Sequence, residues 1–198
     1  MSLAGRDDRE LAVMWTASGD RGAFAELLSR HGGLMRRSAL VALGTAARRD
    51  PGLVDDAVQE ASVRLLGALR AYRGDSSPAT FIAAVARRSA LDELRKGLRH
   101  RARIERVVRL GGTPGSADPA GGDPAVSAER MAAAERVLGT LACLPEPERS
   151  LVYLRDAEGM EVGNLATAFG MPEGTVKSKL ARARAKIRKR VLREWGDA

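Results

Sequence analysis

Apolar residues return every three or four positions along most of this chain, and polar punctuation divides the pattern into a series of helices. Leu11, Met14 and Trp15 make a short amphipathic helix ending near Gly19, with Asp20 placed to cap the next. That next helix carries Phe24, Leu27, Leu28, His31, Leu34 and Met35. The Gly32-Gly33 pair predicts a bend or interruption in it, and Gly44 predicts its end. Asp50-Pro51 is a start signal, a capping side chain before a proline at the first helical position. Over residues 51–72, Val54, Val58, Ala61, Leu65, Leu69 and Tyr72 share one face. Ser77-Pro78 repeats the signal, and Ile82, Val85, Ala86 and Ser89 follow as an inward stripe of small residues. Further on, Met131, Ala134, Val137, Leu138 and Leu141 face inward from a helix over 128–144, which Pro145 and Pro147 break, and another helix is expected over 149–156. Leu165, Ala166 and Phe169 line a short helix closed by Gly170, and Pro172 opens the last one. There Val176, Leu180, Ala183, Ile187 and Val191 form one narrow stripe facing a core.

Between the two groups of helices, residues 110–127 hold five Gly and three Pro and no cation, the composition of a flexible linker. The expected organisation is therefore 1–109, a connector over 110–127, and 128–198. The chain is 44% hydrophobic but only 4% aromatic, so helix-forming Ala and Leu must fill the core, and the fold class is all-α: two small helical domains. Relaxed, an 18-residue Gly-rich connector has an end-to-end distance of about 25 Å, which places the two units close together.

Charge then separates one helix from the rest. Around the last apolar stripe lie Lys177, Lys179, Arg182, Arg184, Lys186, Arg188, Lys189, Arg190 and Arg193, with no carboxylate before Glu194. Two helices joined by a tight Gly-containing turn, the second loaded with cations, read as a helix-turn-helix whose second helix enters the major groove. A formal net charge of +8 favours the same partner, nucleic acid. The face of 51–72 opposite its core stripe is acidic, with Asp55, Asp56, Gln59 and Glu60, yet Val63 and Leu66 also turn outward, as on a docking surface for a basic partner helix. Residues 87–109 carry a second basic surface. The single Cys143, expected to be buried, excludes a disulfide framework and a cysteine-rich zinc site. His31 and His100 lie far apart, and no Ser/His/carboxylate set or phosphate-cradling Gly loop occurs, so no enzyme, cofactor or metal site is read here. No apolar run approaches the ~18 residues needed to span a bilayer, and the polar start carries no signal peptide, so the protein is expected in the cytoplasm.

Several stretches carry a resemblance. Asp20-Arg-Gly-Ala-Phe-Ala-Glu-Leu, Asp56-Ala-Val-Gln-Glu, Tyr72-Arg-Gly-Asp-Ser with Thr80-Phe-Ile, and Leu91-Asp-Glu-Leu-Arg-Lys resemble region 2 of bacterial RNA polymerase sigma factors of the extracytoplasmic-function (ECF) group. Leu144-Pro-Glu and Gly170-Met-Pro-Glu-Gly-Thr-Val-Lys-Ser-Lys-Leu-Ala-Arg-Ala-Arg resemble region 4. The resemblance implies a subunit that directs core polymerase to promoters and helps open them, without catalysis of its own. Asp55, Asp56, Gln59, Glu60, Val63 and Leu66 would dock on the β′ clamp helices, and the second domain on the β flap. Asp75, Ser76, Ser77, Phe81, Arg87, Arg88, Asp92, Arg95 and Lys96 would melt and read the −10 element. Thr175, Lys177, Ser178, Lys179, Arg182, Arg184, Lys186, Lys189 and Arg190 would bind the −35 element, the first few reading bases and Lys186, Lys189 and Arg190 meeting phosphates. The implied partners are core polymerase, promoter DNA and an anti-sigma factor. Phe81 stands where the family usually has Trp, Arg88 at a position often Asn, and Lys179 replaces a common Arg. The alternative is a stand-alone helix-turn-helix regulator binding an operator, which needs one reading surface per protomer where this chain has two.

Overall fold

The computed structural model describes residues 3–109 and 139–195, and every described regular element is helical. In the first unit α1 spans Asp8–Ser18, α2 Arg21–Leu43, α3 Thr45–Arg49, α4 Gly52–Ala68 and α5 Pro78–Arg109. In the second, α6 spans Glu148–Val152 and continues as a π-helical turn over Tyr153–Ala157, followed by α7 at Val162–Phe169 and α8 at Glu173–Trp195. The expected connector at 110–127 and most of the helix expected over 128–144 lie outside the described residues.

Local chemistry fixes most boundaries. Asp7 and Glu10 form a reciprocal capping box at the start of α1. The Asp20 carboxylate accepts from the Gly22 and Ala23 N–H groups to start α2. The Ser77 hydroxyl accepts from the Thr80 N–H at 3.1 Å, ahead of Pro78, and so starts α5. Asp50 departs from expectation: its side chain caps nothing and instead lies 3.9 Å from Arg101, while Pro51 occupies the N-cap position of α4. Gly32 and Gly33 do not interrupt α2, which runs unbroken for 23 residues. Burial of Phe24, Leu27, Leu34 and Met35 on both sides of the pair outweighs the roughly 1 kcal/mol that each glycine costs a helix.

Three apolar clusters hold the molecule together, and α2 contributes to all of them. Phe24, Leu27 and Met35 join Leu11, Trp15, Leu65, Leu69 and Ile82, with the Trp15 and Phe24 rings 4.7 Å apart. Ala39, Ala42 and Leu43 meet Val54, Ala57 and Ala90. Leu34 and Val41, with Ala83 of α5, join Leu144, Leu151, Leu154, Leu165, Val176 and Leu180 of the second unit. The two units thus share a core. Cys143, expected inside, is exposed. The last stripe is buried from Val176 to Ala183, but Val191 is 40% exposed, because α8 outruns the body that covers its earlier turns.

Candidate nucleic-acid and polymerase interfaces

Gly170 closes α7 in the left-handed conformation, at φ 63°, which a residue without Cβ adopts at little cost. The Pro172 carbonyl then accepts from the Thr175 and Val176 N–H groups at 2.9 and 3.1 Å and opens α8 within two residues of the turn. Burial of Val176, Leu180 and Ala183 fixes the rotation of α8, which leaves Lys177, Ser178 and Arg182 exposed and Thr175 and Lys179 at the margins. Further along, Arg184 donates to Asp156 at 3.0 Å and Lys186 to Glu148 at 2.8 Å. Those two cations brace α8 against its own unit. Lys189 is exposed and Arg190 half-buried.

The −10 candidates divide. Asp75, Arg88, Arg95 and Lys96 face outward. Ser76 is 3% exposed, its carbonyl accepting from the Tyr72 hydroxyl, so in this arrangement its side chain meets protein and not a base. Ser77 is occupied as a helix cap, and its N–H donates to Asn164 of the second unit at 3.2 Å. Phe81 is half-buried against Tyr72, with ring centroids 5.2 Å apart. Arg87 donates to Glu146 at 3.0 Å and lies 4.6 Å over the Phe169 ring. Asp92 accepts from Arg64 at 2.6 Å and Arg95 at 2.9 Å, and the Arg64 hydrogen bond chiefly holds its carboxyl below the usual range.

On the outer face of α4, Asp56 and Gln59 are exposed, and Val63 and Leu66 stand open at 59% and 44%. Asp55 pairs with Arg36, and Glu60 accepts from Arg64 at 2.7 Å. An apolar pair within a polar rim is how a protein-docking surface is built.

The contact between the units runs through residues that spacing does not single out. The Arg149 guanidinium donates to the carbonyls of Val41 at 2.6 Å, Ala42 at 2.7 Å and Leu144 at 3.1 Å. Arg37 donates to Glu158 at 2.8 Å and to the Tyr153 hydroxyl at 3.0 Å. Burial pushes the Tyr153 hydroxyl pKa upward, and the Glu158 bond adds to it. For Glu158 burial opposes ionisation, but the bonds from Arg37 and Tyr153 outweigh it and hold the carboxyl below its usual range. A depressed carboxyl contributes stability above its unfolded pKa, near ~4.3, and loses it as pH falls through the lower folded value. The contact is therefore expected to be constant from pH 6 to 8 and to loosen below about pH 4. Energy transfer between labels on the two units reads this directly; a separation that changes between pH 6 and 8 would assign the effect to another group.

Comparison with known proteins places this geometry. The Sigma-70 region 2 profile matches residues 28–100 and the Sigma-70 region 4 profile residues 134–187. The RNA polymerase sigma-H factor of Pseudomonas aeruginosa is 30% identical over 195 residues, covering 94% of this chain and 95% of that protein. The chain belongs to the sigma-70 family. Within it the protein is an RNA polymerase sigma factor of the ECF group: the ECF RNA polymerase sigma factor SigM of Mycobacterium tuberculosis is 29% identical over 190 residues, 94% of this chain and 87% of that one. The sigma factor RpoE of Bartonella quintana, co-crystallised with the anti-sigma factor NepR, shares the fold at a TM-score of 0.57 and 18% identity, covering 84% of this chain and 94% of that one. The region 2 match thus takes in most of α2, all of α3 and α4 and most of α5, and the region 4 match takes in α6, α7 and α8 up to residue 187.

Proposed function

We propose that this sigma factor docks on core polymerase through the outward face of α4, captures the −10 element with α5 and the loop before it, and reads the −35 element with the start of α8. The observation that carries the reading is the exposed Val63–Leu66 pair among carboxylates, on the side of α4 opposite its buried residues. Residues 1–109 and 128–198 act as the two functional units, and 110–127 gives them reach. Promoter opening follows from holding separated bases on protein surfaces, and the nucleotidyl transfer belongs to the core enzyme. The setting is the cytoplasm, where an anti-sigma factor that stabilises the closed pair of units would withhold the protein from polymerase.

Transcription in vitro with purified core polymerase tests the reading. Initiation at defined start sites is expected only when the protein is added, whereas operator binding without core would favour a stand-alone regulator. Val63→Glu is expected to weaken core binding at least tenfold, about 1.4 kcal/mol, with the thermal midpoint unchanged. Wild-type affinity for core in that variant would remove α4 from the interface.

A further inference from the structure

Beyond Leu94, α5 leaves the body of the protein. Leu91 and Leu94 still pack on the α2–α4 cluster, but residues 98–103 are all exposed, Leu98 at 57%. Packing therefore accounts neither for the helix persisting there nor for its composition. Arg88, Arg95, Arg99, Arg103 and Arg106 are exposed along this helix, and their steps of seven, four, four and three keep them on one side of it. From first to last the row spans about 27 Å at ~1.5 Å per residue. That is the length of about eight base pairs at ~3.4 Å each. The carboxylate lying within the row, Asp92, is already committed to Arg64 and Arg95.

We propose that the far part of this row, Arg99, Arg103 and Arg106, is a phosphate-tracking surface for the duplex between the two promoter elements, continuing beyond the −10 candidates Arg88 and Arg95. The proposal rests on α5 being the −10 helix. The row begins near the Phe81 end, where the strands would part, and runs toward residue 109, from which the chain continues to the unit carrying α8. The nucleic acid it meets on that path is double-stranded. A single residue type repeated along a helix axis matches a regular backbone better than any one base sequence, and the guanidinium fork matches phosphate oxygens. A rod this exposed, held to the body beyond Leu98 by little more than the Arg101–Asp50 pair, can also lie along a duplex with little steric conflict.

Holoenzyme carrying Arg99→Ala, Arg103→Ala and Arg106→Ala together tests this on promoter fragments titrated over a range of salt. Each lost phosphate contact lowers the slope of log affinity against log salt by ~0.9. The triple variant is expected to lose about 2–3 in slope and roughly 10–100-fold in affinity at moderate salt, equally on native and scrambled spacers. Alanine favours helix at exposed positions, so circular dichroism should be unchanged. An unchanged slope would overturn the proposal. So would a loss confined to one spacer sequence, or weaker binding to core without DNA, which would assign the row to polymerase. Failure of wild-type holoenzyme to bind promoters would instead overturn the reading of α5 on which the proposal rests.

Discussion

Arg149→Ala is expected to open the molecule, turning a short distance between the two units into a long one, and to cost about 3 kcal/mol of stability. Charge-assisted hydrogen bonds contribute ~1.5–3 kcal/mol each and are not additive within one side chain. Arg149 makes three of them, two to the last turn of α2, whose carbonyls have no partner within the helix. The guanidinium also lies at the negative end of the helix dipole. Gly44 makes room for it. With φ 56° and ψ −124° it terminates α2, and a Cβ there would come within 2.8 Å of the Arg149 guanidinium carbon. The exposed Cys143 offers one labelling position, and Val13→Cys, at a site 63% exposed on α1, offers another. Energy transfer between them should fall sharply in Arg149→Ala and on adding core polymerase to the wild type. Unchanged transfer in Arg149→Ala would show that the shared apolar cluster and the remaining hydrogen bonds between the units hold them without it.

Leu151→Ala should have an effect of comparable size, by a different route. Leu151 is fully buried in the cluster to which both units contribute. Leucine-to-alanine truncation at such sites costs about 2–5 kcal/mol, lost transfer energy plus the cavity left behind. For a chain of this size that corresponds to roughly 4–20 °C in thermal midpoint. The same substitution at the exposed Leu98 should stay within about 0.5 kcal/mol. A midpoint shift for Leu151→Ala no larger than for Leu98→Ala would contradict the shared core.

What the sequence could disclose follows from where each interaction is encoded. Caps and turns are local, so Asp20, Ser77 and Gly170 announce their roles within three residues. The outward Val63 and Leu66 are equally visible, because helical periodicity assigns every residue of α4 to a face. The Arg149 contact could not be read, since its acceptors are backbone carbonyls that any residue at 41 or 42 would supply. Arg37, Glu146 and Glu158 were hidden for a related reason: their partners lie 59 to 121 residues away in the chain, and charge alone does not pair them. Cys143 is exposed although hydropathy favours burying a thiol, because the local turn carries it outward with its sulfur 3.3 Å from the Thr140 carbonyl. The −10 candidates Ser76 and Arg87 illustrate the same limit, as their orientation is set by the second unit and by the fold of the 72–77 loop.

The part played by α2 in all three clusters also sets an order of events during synthesis. Leu34 and Val41 belong to the cluster completed by Leu151, Leu165 and Val176. They leave the ribosome roughly a hundred residues earlier, on the order of 5–20 s at ordinary translation rates. Through that interval the nascent first unit displays an uncovered apolar strip on α2, open to chaperones and to strips on neighbouring nascent chains. A truncated message ending in the 110–127 stretch would make the exposure permanent, leaving a fragment that folds yet stays adhesive.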